Sequence, residues 1–276
     1  MARKGNKKRW NDKAISPAIS AVIMTGVMVT LITVALSFAS NFLLLRMVES
    51  EFNSSKQFMR TLGLQIDDVA WVIGRTETAR YSSRYGNVAV TTALNYTIHV
   101  NTTSQSNLKF YTNTTNIICF NMPVEHYSVG NNYFELLHPS SDAGFLLSGA
   151  TAPVARVFAV EKLPMADGSF VRVVVIPTIR MLNLTIGNTK YIRLYLPILT
   201  EGEAPKYSQS ITFTGESISK IGDTVTGFKV EAHFPSAGFD NLFFSFPDTE
   251  ESISLTEETV LELYVGSVDV ALGVHI

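Results

Sequence analysis

Residue types that do chemistry are present in this chain, but not at the spacings that chemistry needs. Histidines stand at His99, His126, His138, His233 and His275, and no two form a pair at metal-ligand spacing. No Cys–His or His-Glu-x-x-His constellation accompanies them, and a zinc centre needs three or four such ligands converging. A phosphate-cradling glycine loop and a nucleophile elbow are both missing from the sequence. Acids cluster at Asp248-Thr249-Glu250-Glu251 and at Glu257-Glu258; a solvated acidic loop accounts for them more simply than a calcium loop. The single cysteine, Cys119, lies in the apolar run Ile117-Ile118-Cys119-Phe120, which reads as a buried thiol and excludes an intrachain disulfide. Tyr81, Tyr85, Tyr127, Tyr133 and the aromatics of 239–246 read as core. The expectation is a non-enzyme with no cofactor, no metal and no identifiable small-molecule substrate.

Two other patterns do carry information. Asn53, Asn95, Asn101, Asn113 and Asn183 each open an Asn-x-Ser/Thr acceptor for N-glycosylation. Charge is also distributed unevenly. Up to Ala14 six bases face one acid, a net +5, which leaves −7 for the rest of a chain of net charge −2. A basic arm on an acidic body is either a nucleic-acid tail or a topogenic signal, and the residues after it decide which. Bases beyond the arm are spread thinly, so nucleic acid is not an expected partner.

The stretch after the arm is apolar. No charged residue occurs from Ile15 to Leu45, 31 positions that Arg46 ends. As a helix this is roughly 46 Å long, against a hydrocarbon core of about 30 Å. Ser16 fits a helix cap and Pro17 the first helical position. Bases before the run, with Glu49 and Glu51 after it, predict a single-pass protein whose N-terminus is cytoplasmic and whose remainder is outside. Ala18, Ala21, Thr25, Ala35 and Ala39 share one stripe, the kind along which helices approach closely in an apolar medium.

The helical pattern continues past Arg46. Val48, Phe52, Ser55, Met59, Leu62, Ile66, Val69 and Ile73 alternate steps of four and three, with Glu51, Lys56, Arg60, Gln65 and Asp67 on the solvated side and Gly74 as a cap. Leu62, Ile66, Val69 and Ile73 are expected to pack on the chain's own second domain. Residues further up the stripe are expected to meet neighbouring subunits.

Lys13-Ala14-Ile15-Ser16-Pro17-Ala18-Ile19, placed between a basic arm and a long apolar helix, resembles the processing region of archaeal type IV pilin-like precursors, which carry a class III signal peptide. The resemblance covers the first quarter of the chain. It implies cleavage between Ala14 and Ile15 by a prepilin-type membrane peptidase, with Lys13, Ala14 and Ile15 as the processing site. Bacterial relatives carry a Glu at the fifth mature position, where this chain has Ile19; assembly would then rest on apolar and small-residue packing.

After Gly74 the period becomes two. Val88, Val90, Thr92, Leu94, Tyr96, Ile98 and Val100 predict one face of a long strand. Further strands are expected over 109–112, 116–122, 154–163, 170–176, 178–186, 190–199, 210–213, 228–234, 260–265 and 268–276. Met165-Ala166-Asp167-Gly168, Gly187-Asn188 and Gly266-Ser267 are expected turns. The fold class predicted is α+β: one long N-terminal α-helix, then a mostly antiparallel β-sandwich-like domain. In these terms the chain divides into a cleaved leader (1–14), an apolar helix (15–47), its amphipathic extension (48–74) and an extracytoplasmic β-rich domain (75–276), with a subdivision conceivable near 150.

Three functions fit the sequence: a major or minor subunit of a pilus-like surface filament, tip-located and adhesive in one version; a monomeric surface protein on an uncleaved anchor; and, least favoured, an extracytoplasmic enzyme. The chain's size favours a minor subunit. Expected partners are the membrane, the peptidase and like or related subunits.

Overall fold

A computed structural model describes residues 12–140, 144–162, 169–202, 209–235 and 238–273, with helix side chains described from Ile19 onward. It contains one long helix followed by a large, mostly antiparallel sheet. The chain falls into two compact units, Met1–Met47 and Val48–Ile276. Helix α1 spans Asp12–Ala70.

The strands are β1 (Thr76–Arg80), β2 (Asn87–Asn101), β3 (Leu108–Pro123), β4 (Tyr133–His138), β5 (Leu146–Ser148), β6 (Ala155–Glu161), β7 (Phe170–Pro177), β8 (Ile179–Ile186), β9 (Thr189–Glu201), β10 (Ser210–His233) and β11 (Glu250–Leu272). A single turn of helix, α2 (Asn241–Phe244), precedes β11. All eleven strands belong to one sheet in the order β4-β6-β7-β3-β2-β10-β11-β9-β8-β5, with β1 on β10. The strands therefore do not separate into two bonded sheets, and strands from either side of residue 150 alternate within the one sheet. Among the described residues only the β9–β11 and β5–β8 pairs are parallel.

The sheet curls on itself. Leu199 of β9 donates its N–H to Thr115 Oγ1 of β3 at 3.0 Å, although β9 and β3 are not ladder neighbours. Curling separates two apolar cores. The first collects Leu94, Tyr96, Ile98, Val174, Leu194 and Leu263 together with Phe239, Phe243, Phe244 and Phe246. The second lies on the opposite face and joins the buried residues of α1 to Ile118, Phe120, Val173, Val175, Phe213, Val268 and Val270.

Several long strands serve both cores, which corrects the single face expected for β2. A β-bulge between Thr92 and Leu94 inserts one residue, and an extra residue flips the side-chain parity of everything after it. Val88 and Val90 thus pack on the α1 side, whereas Leu94, Tyr96, Ile98 and Val100 enter the other core.

Three expected breaks are also absent. Asn113 lies inside β3, opposite Tyr96, and not in a turn. Residues 214–227 join two expected strands into β10, and Gly266-Ser267 is interior to β11. Gly266 is a glycine for another reason: a Cβ there would sit 2.3 Å from the Ala70 carbonyl oxygen at the end of α1. A strand glycine of this sort marks close backbone approach. Gly187-Asn188 does form the expected two-residue turn, with Ile186 opposite Thr189 and Gly187 at φ 63. β11 pairs with β10 up to Leu272 and with β9 from Val260 to Val270. The 165–168 turn and residues 274–276 lie outside the described residues.

Candidate membrane and assembly helix

From Ile19 to Met47 every side chain of α1 is exposed, Phe38 by 75%. This helix is long and apolar enough to cross a membrane by length and composition, with a mean hydropathy of 2.3 in its most apolar stretch. Four of its hydroxyls are turned onto its own backbone: Thr25 donates to Ala21 O (2.9 Å), Thr30 to Gly26 O (2.9 Å), Thr33 to Val29 O (2.8 Å) and Ser40 to Ser37 O (2.9 Å). A hydroxyl satisfied in this way can be moved into an apolar medium without leaving a lone donor. Arg46 closes the stretch over the Phe42 ring, 5.2 Å from its centroid.

Ala21, Thr25, Ala35 and Ala39 of the small-residue stripe are exposed. The side chain of Ala18, with those of Lys13, Ala14 and Ile15, lies outside the described residues. Their backbone is helical, which corrects the expected start: α1 begins at Asp12, so Ser16 does not cap it and Pro17 lies within it. Pro17 supplies no N–H to the carbonyl four residues back, Lys13. The helix is therefore one hydrogen bond weaker beside the Ala14–Ile15 bond.

At Val48 the environment reverses. Val48, Phe52, Met59, Leu62, Ile66 and Val69 are completely buried, all against the second core. The buried stripe thus reaches further up the helix than Leu62, and the residues expected to meet neighbours, Val48 to Met59, are covered by the chain's own sheet. Ser55, the polar member, is buried because its hydroxyl donates to Phe52 O at 2.7 Å. Gly63 lets the helix sit close, since a Cβ there would lie 2.6 Å from Val157 Cγ2.

Ile73 breaks the expectation. It is 64% exposed because α1 ends at Ala70, where the helix meets Gly266. Gly74 does adopt a left-handed φ of 78, but it donates to Gly215 O in the link to β1 instead of capping the helix.

Three residues expected on the solvated side are instead anchors. Glu51 binds the 83–86 loop: its Oε1 accepts from the Ser83 hydroxyl (2.5 Å) and from the N–H groups of Tyr85 (3.0 Å) and Gly86 (3.2 Å), and both oxygens accept from Arg84 N–H (3.1 Å). Partial burial pushes its pKa up, yet these hydrogen bonds outweigh burial and leave it below the ordinary value. Lys56 lies over the Phe52 ring and donates to Glu135 and Tyr133. Asp67 accepts from Trp71 Nε1 at 2.9 Å and pairs with Arg180.

Sequence reading also missed Arg156 and Arg172, fully buried in strands that look apolar. Arg156 donates to Phe244 O at 2.9 Å and lies over the rings of Phe134, Phe158 and Phe246. Arg172 donates to Asn121 and lies over Phe170 and Phe239. Together they tie the 239–246 aromatic segment to β6 and β7.

Of the glycosylation candidates, Asn53, Asn101, Asn113 and Asn183 are exposed and Asn95 is half-buried. Asn95 Oδ1 accepts from Thr112, and Asn101 Oδ1 from the N–H of Asn107. The acidic positions Glu250, Glu251, Glu257 and Glu258 lie in β11, not in a loop. Comparisons with protein-family models, with curated proteins and with solved structures found no match.

Proposed function

We propose that the chain is an archaeal type IV pilin-like subunit of a surface filament, minor or tip-located, made as a single-pass precursor and assembled through residues 15–47. Its role on this reading is structural and adhesive, not enzymatic. The observation that carries the proposal is the reversal along α1: complete burial of the apolar stripe from Val48 to Val69 against exposure of every apolar side chain from Ile19 to Met47. A helix apolar on all sides requires an apolar environment all round, first lipid and then other helices. The β-rich unit would face outward from the cytoplasmic membrane, consistent with bases preceding the span. Sugars on the exposed Asn53, Asn101 and Asn113 would suit that location.

Processing is the first step to test, by N-terminal sequencing and intact mass of the membrane-extracted protein. A mature chain beginning Ile15-Ser16-Pro17 is expected, and Ala14→Glu should remain uncut. A mature chain beginning at Met1 would favour the uncleaved surface anchor, and one lacking residues 15–45 would exclude assembly through this helix.

A further inference from the structure

The outer edges of the sheet are not guarded alike. β1 carries Glu77 and Arg80. β4 carries Glu135, has a register irregularity between Leu136 and His138, and is followed by Pro139. Charges, bulges and prolines of this kind prevent an edge from pairing with another chain. β8 has none of them over Leu182-Asn183-Leu184-Thr185-Ile186.

On one side β8 pairs with β9 along Arg180–Ile186; on the other, β5 covers only Ile179–Met181. Beyond Met181 the chain leaves: Gly149 N–H donates to Met181 O, and Arg180 holds the Ala152 carbonyl. No described residue pairs with the outer edge from Leu182 to Ile186. Because Ile179 N–H and Met181 C=O point to this edge, strand alternation turns the N–H and C=O of Asn183 and Thr185 the same way.

We propose that this edge pairs with the same edge of a second copy, antiparallel about a two-fold axis through Leu184. The sequence is self-complementary in that register. Leu182 falls opposite Ile186 and Asn183 opposite Thr185, and Leu184 meets its own equivalent. Every outward N–H and C=O of Asn183 and Thr185 then finds a partner, and no like charges are opposed. Leu182, Leu184 and Ile186 lie on the sheet face that carries Arg193 and Tyr191. Ile186, 54% exposed in the single chain, would be covered by Leu182 of the other copy. The contact is isologous, so it joins two subunits edge to edge and does not propagate a filament. It is separate from helix-mediated assembly and does not require it.

The test is oxidative crosslinking of the full-length protein in membranes, in a Cys119→Ser background. Leu184 falls at a non-hydrogen-bonded pair, where Cα atoms stand about 4.5 Å apart, within disulfide reach. Leu184→Cys should give a discrete dimer at least tenfold stronger than Thr78→Cys on the guarded β1 edge. Adding Thr185→Pro, which deletes an outward N–H and leaves the β9 ladder intact, should remove the dimer. Ala21→Glu should abolish helix-mediated multimers and leave the Leu184→Cys dimer in place. The proposal is overturned if the thiol of Leu184→Cys reacts with maleimide yet forms no dimer, if Thr78→Cys crosslinks equally, or if Asn183 proves to carry a sugar that blocks the edge.

Discussion

Phe38 and Phe52 belong to the same helix, yet Phe38 is 75% exposed and Phe52 fully buried. Around Phe38 the apolar residues occur on all sides. Around Phe52 they form a single stripe, and the intervening Glu51, Lys56 and Asp67 reach out to specific partners. Total hydrophobicity therefore does not decide which stretch is covered. Periodicity decides it: a one-sided stripe is satisfied by one sheet, whereas an all-round apolar surface cannot be satisfied by any single neighbour. The two stretches should consequently fail in different ways when a charge is introduced.

The largest effect is expected in the docked stretch. Ile66→Asp or Val69→Asp would place an unpaired carboxylate in a sealed core and cost upwards of about 4 kcal/mol. Thermal unfolding and limited proteolysis should report loss of the folded β-rich unit. Ala21→Glu or Ala35→Glu would cost about 2.5–3.5 kcal/mol in an apolar medium, and should abolish multimers with the β-rich unit still protease-resistant. If the charges in both stretches unfold the domain equally, the distinction between them is wrong.

Gly266→Ala sharpens the boundary. The new methyl would meet the Ala70 carbonyl at 2.3 Å, and backbone offers no easy retreat, so a loss of about 1–3 kcal/mol is expected in denaturant unfolding. Gly26→Ala, with open space around it, should leave the stability of the β-rich unit unchanged.

Glu51→Gln gives a smaller and pH-dependent loss, about 1–2 kcal/mol at neutral pH from weakened hydrogen bonds to the 83–86 loop. Glu51 titrates below its ordinary value of 4.5 when folded, so its contribution is complete above that value. It is lost as pH falls through the lower folded value. The stability difference between wild type and Glu51→Gln should therefore be flat near neutrality and shrink in acid. A difference that grows on acidification would contradict the assignment.

The long helix, its two-part character and most strands were legible because apolar spacing records burial directly. Leu62, Ile66 and Val69 could be placed on the sheet from the heptad alone. Ile73 could not, because the helix stops where Ala70 meets Gly266, a long-range contact with no local signal. Polar stretches such as 214–227 hide strands, since a sheet exposed on one side and bent between two cores loses simple alternation. The anchoring roles of Glu51, Arg156 and Arg172 were invisible for a related reason: their partners are backbone groups, an amide and rings far away in sequence.

On the proposed reading, residues 15–47 are covered by the helices of other subunits. Single cysteines at Ala21 or Ala35, in a Cys119→Ser background, should be crosslinked in whole membranes and resolved by size. Ladders of covalent multimers are predicted at one or both positions. Monomers alone at both would contradict assembly through this helix.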